Sequence, residues 1–173
     1  MSDIRGHFTR SPEAVMFTVS RLKTGIYHVE GDMGANWWAD LCKELGLPVA
    51  GTGRVDLYFD VKAPLIMVSG TIQTELEREC VRTLEAFVEK RSFSIDEVLA
   101  FGDAPVEMED EVLPLEEDTL DVGEYIRQHI IANLEPYPIK DGGPRGGIIL
   151  SDGLDEGTLN EKNPFAVLKQ LKS

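Results

Sequence analysis

The sequence predicts an α+β domain built on an antiparallel β core, either a sheet or a partly closed barrel, flanked by two helices. Two observations support this class. Hydrophobic and polar residues alternate through the middle of the chain, within residues 53–61, 65–79 and 80–93, and alternation at period two is typical of half-buried antiparallel strands. No helical segment separates these runs, so a parallel sheet with helical crossovers is not expected.

Two segments with helical periodicity flank this β-rich middle. Residues 35–45 carry apolar side chains at the spacing of one helix face. Residues 120–134 form a second and longer apolar stripe, and Thr119 or Asp118 is suited to cap its first turn. We therefore expect one helix on each side of the predicted strands.

The remaining parts of the first 140 residues have weaker signals. Residues 14–20 are rich in β-branched and aromatic side chains and predict a strand. Residues 22–34 contain three glycines and predict a loop or a poor strand. Residues 94–118 are acidic and contain two prolines, which predicts a mobile loop with a short return strand near 112–115.

The composition divides the chain into three parts. Residues 1–140 form a single α+β domain. Residues 141–162 are rich in Gly, Pro and Asp, which is typical of a flexible linker. Residues 163–173 have the pattern of a short C-terminal amphipathic helix, with Asn163 as its cap and Pro164 at the first helical position.

Charge is unevenly distributed along the chain. The formal net charge is −14, and no Lys or Arg occurs between Ser92 and Ile126. A surface that binds nucleic acid through its phosphates is normally basic, so broad binding to RNA or DNA is disfavoured. The acidic stretch has two interpretations, a solvated face or a surface for a basic partner such as a ribosomal protein.

Membrane and secretory classes are not expected. No apolar run approaches the roughly 18–20 residues of a membrane helix, and residues 1–10 lack the apolar core of a signal peptide. Cys42 and Cys80 are expected to be reduced thiols. The sequence therefore predicts a cytoplasmic protein.

No catalytic or metal-binding signature is recognisable in the sequence. His7 lies in a terminus expected to be frayed, and neither His28 nor His129 belongs to a known catalytic motif. Cys80 has Thr83, not a second cysteine, at plus three, so the four-ligand set of a structural zinc site is not recognisable. We therefore predict that the protein is not an enzyme and has no metal or other cofactor.

Three stretches of the chain resemble one known family in order and spacing. The first is LERECVRTLEAF (76–87), where family members typically have Cys-x-Arg-Cys-Leu on a β hairpin. The second is the acidic stretch followed by LDVGEYIRQHIIANLEPYPIKD (120–141), and the third is NPFAVLKQLK (163–172). Together they resemble the YceD family, the bacterial large ribosomal RNA subunit accumulation proteins. Many members carry further Cys or His residues after the second stretch, but this chain has Lys140 and GGPRGG there, so the resemblance transfers no zinc site.

The resemblance implies a non-enzymatic factor that acts by binding and supports the synthesis, processing or stability of large-subunit (23S) rRNA in ribosome biogenesis. Its expected partners are a ribosomal or ribosome-assembly protein and the 23S rRNA precursor, without membrane or DNA. The expected partner-binding residues are Cys80, Arg82, Leu84, Asn163, Pro164 and Phe165. Two other functions stay open: an acidic adaptor for an unrelated basic partner, and a small-ligand-binding domain.

Overall fold

The computed structural model describes residues 4–48, 51–102 and 112–140. These residues form eight strands and two α-helices: β1 (Ile4–Phe8), β2 (Met16–Thr18), β3 (Gly25–Asp32), α1 (Ala35–Glu44), β4 (Gly51–Lys62), β5 (Leu65–Glu79), β6 (Ala86–Ala100), β7 (Leu113–Pro114), β8 (Thr119–Asp121) and α2 (Val122–Asn133). The linker predicted for 141–162 and the helical segment predicted for 163–173 lie outside the described residues.

Six strands form one sheet in the order β1-β3-β4-β5-β6-β7, while β2 and β8 form a two-stranded ribbon. The β3–β4, β4–β5 and β5–β6 ladders are antiparallel, and the short β1–β3 and β6–β7 ladders are parallel. This arrangement, with its two helices, confirms the predicted α+β class. Because β1 and β7 lie at opposite edges, the sheet is open within the described residues, and a partly closed barrel is not formed.

The period-two alternation of the central strands separates a buried face from an exposed one. In β4 the apolar side chains Val55, Leu57, Phe59 and Val61 are buried, while the residues between them are more exposed. The buried face joins apolar residues of both helices and of the β2–β8 ribbon in one core. These elements therefore cover one side of the sheet and leave its other side, here called the outer face, more polar and more exposed than the core side.

The start of α2 is fixed by a cap other than the predicted ones. Asp121 is the N-cap, and its carboxylate accepts a hydrogen bond from the backbone N–H of Glu124 at 3.0 Å. Asp118 instead accepts hydrogen bonds from the backbone N–H and the hydroxyl of Ser20, at 2.7 and 2.6 Å. The prediction of Thr119 or Asp118 as the cap was therefore wrong by two or three residues.

The segment 22–34, predicted as a loop or a poor strand, is largely strand. Residues 22–34 contain β3, whose Gly31 has φ +142° and lies so close to the Thr9 carbonyl that a Cβ atom would be 3.0 Å from that oxygen. Glycine there permits close approach of two backbones and does not interrupt the strand.

The acidic loop predicted for 94–118 was also wrong in extent. Residues 94–100 continue β6, because Ile95 and Leu99 keep the inward alternation between the acidic residues. The short return strand predicted near 112–115 is present as β7, and the strand predicted for 14–20 is reduced to β2.

Candidate partner-binding surfaces

The motif that carries the family resemblance lies at the end of the β5–β6 hairpin. Residues 80–85 form the turn between the two strands, not the beginning of the strand predicted for 80–93. The backbone N–H of Cys80 donates to the carbonyl of Glu85 at 2.9 Å, and that of Leu84 donates to the carbonyl of Cys80 at 2.8 Å. The turn is thus closed by its own backbone.

Leu84 has the most unusual conformation in this turn. Its φ is +59°, a left-handed conformation that is unfavourable for a bulky side chain, and 71% of the residue is exposed. Strain of this kind is often found at functional positions. Three predicted site residues share the turn, namely Cys80, Arg82 and Leu84. The other three lie outside the described residues, namely Asn163, Pro164 and Phe165.

The thiol of Cys80 is fully buried in the turn. Its sulfur accepts hydrogen bonds from the hydroxyl and backbone N–H of Thr83 and from the backbone N–H groups of Lys140 and Arg82. These donors stabilise the thiolate more than burial disfavours it, and they lower the pKa of Cys80 to about 6. Thr83 stands where family members typically have the second cysteine of the motif. The single thiol of Cys80 therefore does not fit a zinc site built from four protein ligands.

The hairpin end is held to residues 134–140, the segment that follows α2. The backbone N–H of Val81 donates to the carbonyl of Pro138 at 3.0 Å. Arg78 donates from Nη2 to the carbonyl of Glu135 at 2.7 Å and from Nη1 to the carboxylate of Glu89 at 3.0 Å. Both side chains of the Arg78–Glu89 pair are more than nine-tenths buried. The hairpin end and this segment are therefore joined into one hydrogen-bonded unit.

Exposed apolar side chains concentrate on this unit. Among the described residues, ten large apolar residues are exposed. Half of them lie at the hairpin end or on residues 134–140, namely Val81, Leu84, Val88, Tyr137 and Ile139. Single exposed apolar residues are ordinary on protein surfaces, but a local concentration is typical of an interaction surface.

A second surface, here called the acidic groove, lies between α2 and the chain around β7. It is a cavity of about 610 Å³. Its apolar lining comes from Leu99, Leu113, Pro114, Leu115, Leu120 and Ala132. Its carboxylates come from Glu116, Glu117, Asp121 and Glu124. No Lys or Arg is among the described residues that line it. The nearest basic contact is Arg127, outside the lining, whose Nε lies 3.5 Å from Oε2 of Glu124, so four carboxylates carry the formal charge of the lining.

Two side chains that line the acidic groove, Tyr125 and His129, contact Glu97, which lies outside the lining. The hydroxyl of Tyr125 donates to Oε2 of Glu97 at 3.0 Å, and Nε2 of His129 lies 3.1 Å from the same oxygen. Burial, followed by the charge of Glu97, raises the pKa of Tyr125. The phenol therefore stays protonated and donates its hydrogen bond at neutral pH.

The sequence indicated only part of these surfaces. The stretch without Lys or Arg contains all four groove carboxylates. In contrast, Tyr125 and Glu97 are 28 residues apart, and no local pattern indicates that they meet. The same holds for the buried Arg78–Glu89 pair. Alternation places both residues on the face of Leu76 and Ile95, but charged side chains are rarely buried, and nothing local indicates that these two meet.

Both surfaces lie in the part of the chain that matches a known protein family. A profile of the YceD family, the large ribosomal RNA subunit accumulation proteins, matches residues 68–172. That range is more than half of the 173 residues. The chain belongs to the YceD family. The family resemblance predicted from the three sequence stretches is thereby confirmed.

The YceD match begins inside β5 and includes the hairpin end, the lining of the acidic groove and α2. It excludes β1 to β4 and α1. No curated protein and no solved structure gives a significant match to the chain. None of the helices in the described residues is long and apolar enough to cross a membrane.

Proposed function

We propose that this YceD-family protein supports the accumulation of large-subunit (23S) rRNA by binding a basic segment of a ribosomal or ribosome-assembly protein in the acidic groove. The observation that carries the proposal is the lining of that groove, which combines four carboxylates with an apolar floor and no Lys or Arg among its described residues. The groove also lies within the range matched by the family profile.

Charge favours a protein segment over RNA as the direct partner. A groove lined by carboxylates repels phosphates and attracts Lys and Arg side chains. The basic residues of the hairpin lie outside the groove lining. Among them, Arg78 and Arg91 share the carboxylate of Glu89, and Lys90 pairs with Glu75. The 23S rRNA precursor is therefore proposed to be reached through the bound protein.

The apolar floor of the groove requires that the partner supply apolar side chains as well as positive charge. Burial of apolar side chains supplies most of the favourable free energy in protein association, while exposed charges at a rim mainly set the association rate and its salt dependence. The expected occupant is therefore a segment in which Lys or Arg alternates with apolar residues.

The hairpin end is proposed as a second contact for the same partner or its complex. Its exposed apolar residues include Leu84, which combines a left-handed backbone conformation with an exposed side chain. Asn163, Pro164 and Phe165 are proposed as further contacts on sequence grounds alone. We propose a non-enzymatic role in the cytoplasm, since the sequence carries no recognisable catalytic signature.

A charge reversal in the groove tests the proposal. Glu116 and Glu117 are exposed, so the variant Glu116→Lys/Glu117→Lys should fold normally. In the source organism, wild-type protein should sediment with large-subunit precursors on a sucrose gradient. The variant should lose that association, and cells that depend on it should accumulate less 23S relative to 16S rRNA.

A matched control separates the groove from overall charge. Asp40→Lys/Asp96→Lys changes the net charge by the same amount at two exposed residues outside the groove lining. This control variant should sediment with large-subunit precursors and support the same ratio of 23S to 16S rRNA as the wild type. Equal loss in both variants, or no loss in the groove variant, contradicts the proposal. Capture of a basic protein without any precursor would instead support the adaptor function.

A further inference from the structure

The outer face of the sheet brings together three side chains that are well separated in sequence. His7 on β1 lies opposite His28 on β3, and Glu30 follows on the same face of β3. One ligand atom from each of these residues can be chosen so that all three lie within 4.8 Å of one another. The group lies entirely outside residues 68–172, so it is separate from the surfaces assigned above.

We propose that His7, His28 and Glu30 form a binding site for a divalent first-row transition metal ion, with zinc as the ion that the ligands suit best. Two imidazoles and one carboxylate are a common protein ligand set for zinc, with a fourth position open to water. The prediction of no metal was based on cysteine spacing, and strand pairing creates a histidine site that such spacing does not reveal.

His28 is the preorganised ligand of the site. Only 9% of this residue is exposed, and its ring is stacked between those of His7 and Tyr58, with centroid distances of 4.6 and 4.1 Å. Its Nε2 lies 2.7 Å from Oδ1 of Asp56. A carboxylate that holds one ring nitrogen is the usual means by which proteins orient the other nitrogen of a histidine towards a metal.

His7 is the ligand that has to move. Zinc ligands at about 2.0–2.2 Å from the ion are roughly 3.3–3.6 Å apart in a tetrahedral site. Nε2 of His7 is already 3.0 Å from Oε1 of Glu30. However, the rings of His7 and His28 are nearly parallel, at 8°, and parallel rings do not direct their in-plane lone pairs at one point. The side chain of His7 is 48% exposed, so it can turn out of the stack.

The surrounding charges favour a cation. Asp56 lies opposite Glu30 in the β3–β4 register, so two carboxylates flank the imidazoles. Arg54 is the competing cation, with Nη2 at 3.8 Å from Oε2 of Glu30. That contact is long and the Arg54 side chain is 55% exposed, which makes it a weak competitor.

Calorimetric titration of the full, tag-free chain with Zn²⁺ tests the site. We expect one Zn²⁺ to bind per chain, and the variants His7→Gln and Glu30→Gln each to weaken binding by about tenfold or more. Asp96→Asn is the matched control, since it removes one carboxylate charge from the same face of the sheet, in the row of paired residues that includes His28. Asp96 is exposed and lies on β6, which β4 and β5 separate from β3, so this variant should bind Zn²⁺ like the wild type.

Histidine NMR signals provide a second measurement. The sequence has three histidines, so the ring signals of His7 and His28 should shift with Zn²⁺ while that of His129 stays constant. With Co²⁺ as the probe, the visible spectrum should lack thiolate charge transfer, because no cysteine belongs to the cluster. Absence of binding at millimolar Zn²⁺, or unchanged affinity in both His7→Gln and Glu30→Gln, overturns the proposal, as does a shift of His129 alone.

Discussion

Removal of one member of the buried Arg78–Glu89 ion pair should strongly destabilise the hairpin end. The two side chains are 8% and 9% exposed, and Nη1 of Arg78 lies 3.0 Å from Oε2 of Glu89. In Glu89→Leu, the guanidinium of Arg78 remains buried but loses its carboxylate partner. Its remaining acceptor is the neutral backbone carbonyl of Glu135. Such an uncompensated buried charge typically costs about 3–5 kcal/mol of unfolding free energy.

The loss is large enough to measure by two methods. For a chain of 173 residues, 1 kcal/mol shifts the thermal midpoint by about 2–4 °C, so Glu89→Leu should lower it by roughly 6–20 °C. Urea unfolding followed by circular dichroism should show the same change as a shift of the transition midpoint. The double variant Arg78→Leu/Glu89→Leu removes both charges and should recover most of the loss.

An exposed pair on the same two strands provides the control. Nζ of Lys90 lies 2.8 Å from Oε1 of Glu75, with side chains that are 71% and 49% exposed. Exposed pairs contribute about 0–1 kcal/mol, so Glu75→Leu should change stability by no more than that. A loss below about 1 kcal/mol in Glu89→Leu, or a double variant no more stable than the single one, would refute this account of the buried pair.

Three further predictions test other parts of the molecule. Gly123→Ala should lower the free energy of unfolding in urea, because a Cβ atom at this position would collide with the backbone carbonyl oxygen of Glu13. Without that collision, alanine would favour the helix over glycine by about 1 kcal/mol. Cys80→Ser should cost progressively more unfolding free energy as pH rises from about 6 towards 9, and little below pH 6. The reason is that the pKa of Cys80 is about 6 in the folded state and 9.0 for an ordinary cysteine, so the thiolate stabilises the native state only at pH values where it forms. A pH-independent difference between the urea midpoints of the two proteins would contradict this. Phe165→Ala should weaken sedimentation with large-subunit precursors and leave the thermal midpoint nearly unchanged; a lower midpoint with intact sedimentation would show that Phe165 belongs to the fold.

Elements with a regular period were predictable from the sequence, whereas segments with mixed signals were not. The strands β4 and β5 and both helices were predicted near their observed bounds, because alternation and helical spacing are local properties of the chain. β3 was predicted only as a loop or a poor strand because of its glycines, although Gly31 serves the close approach of another backbone segment. The last part of β6 was missed because its acidic residues outweighed the apolar ones between them.

The same distinction applies to the candidate sites: features formed by neighbouring residues were predictable, and contacts between distant strands were not. The sequence indicated the hairpin motif around Cys80, the acidic stretch and the family, because each depends on residues that are close together in the chain. It did not indicate that Cys80 is bound by the backbone of Lys140, or that His7 stacks on His28. Those contacts depend on which strands pair and in what register.

The sequence by itself therefore determined the α+β class, the strongly periodic elements, the sign of the charge and the membership in the YceD family. Only the tertiary structure decided which charges are buried, where the acidic groove opens and that two histidines and a glutamate meet on the outer face. The physical reason is that periodicity and net charge are carried by neighbouring residues, whereas burial and site geometry arise when distant strands pair and pack around a common core.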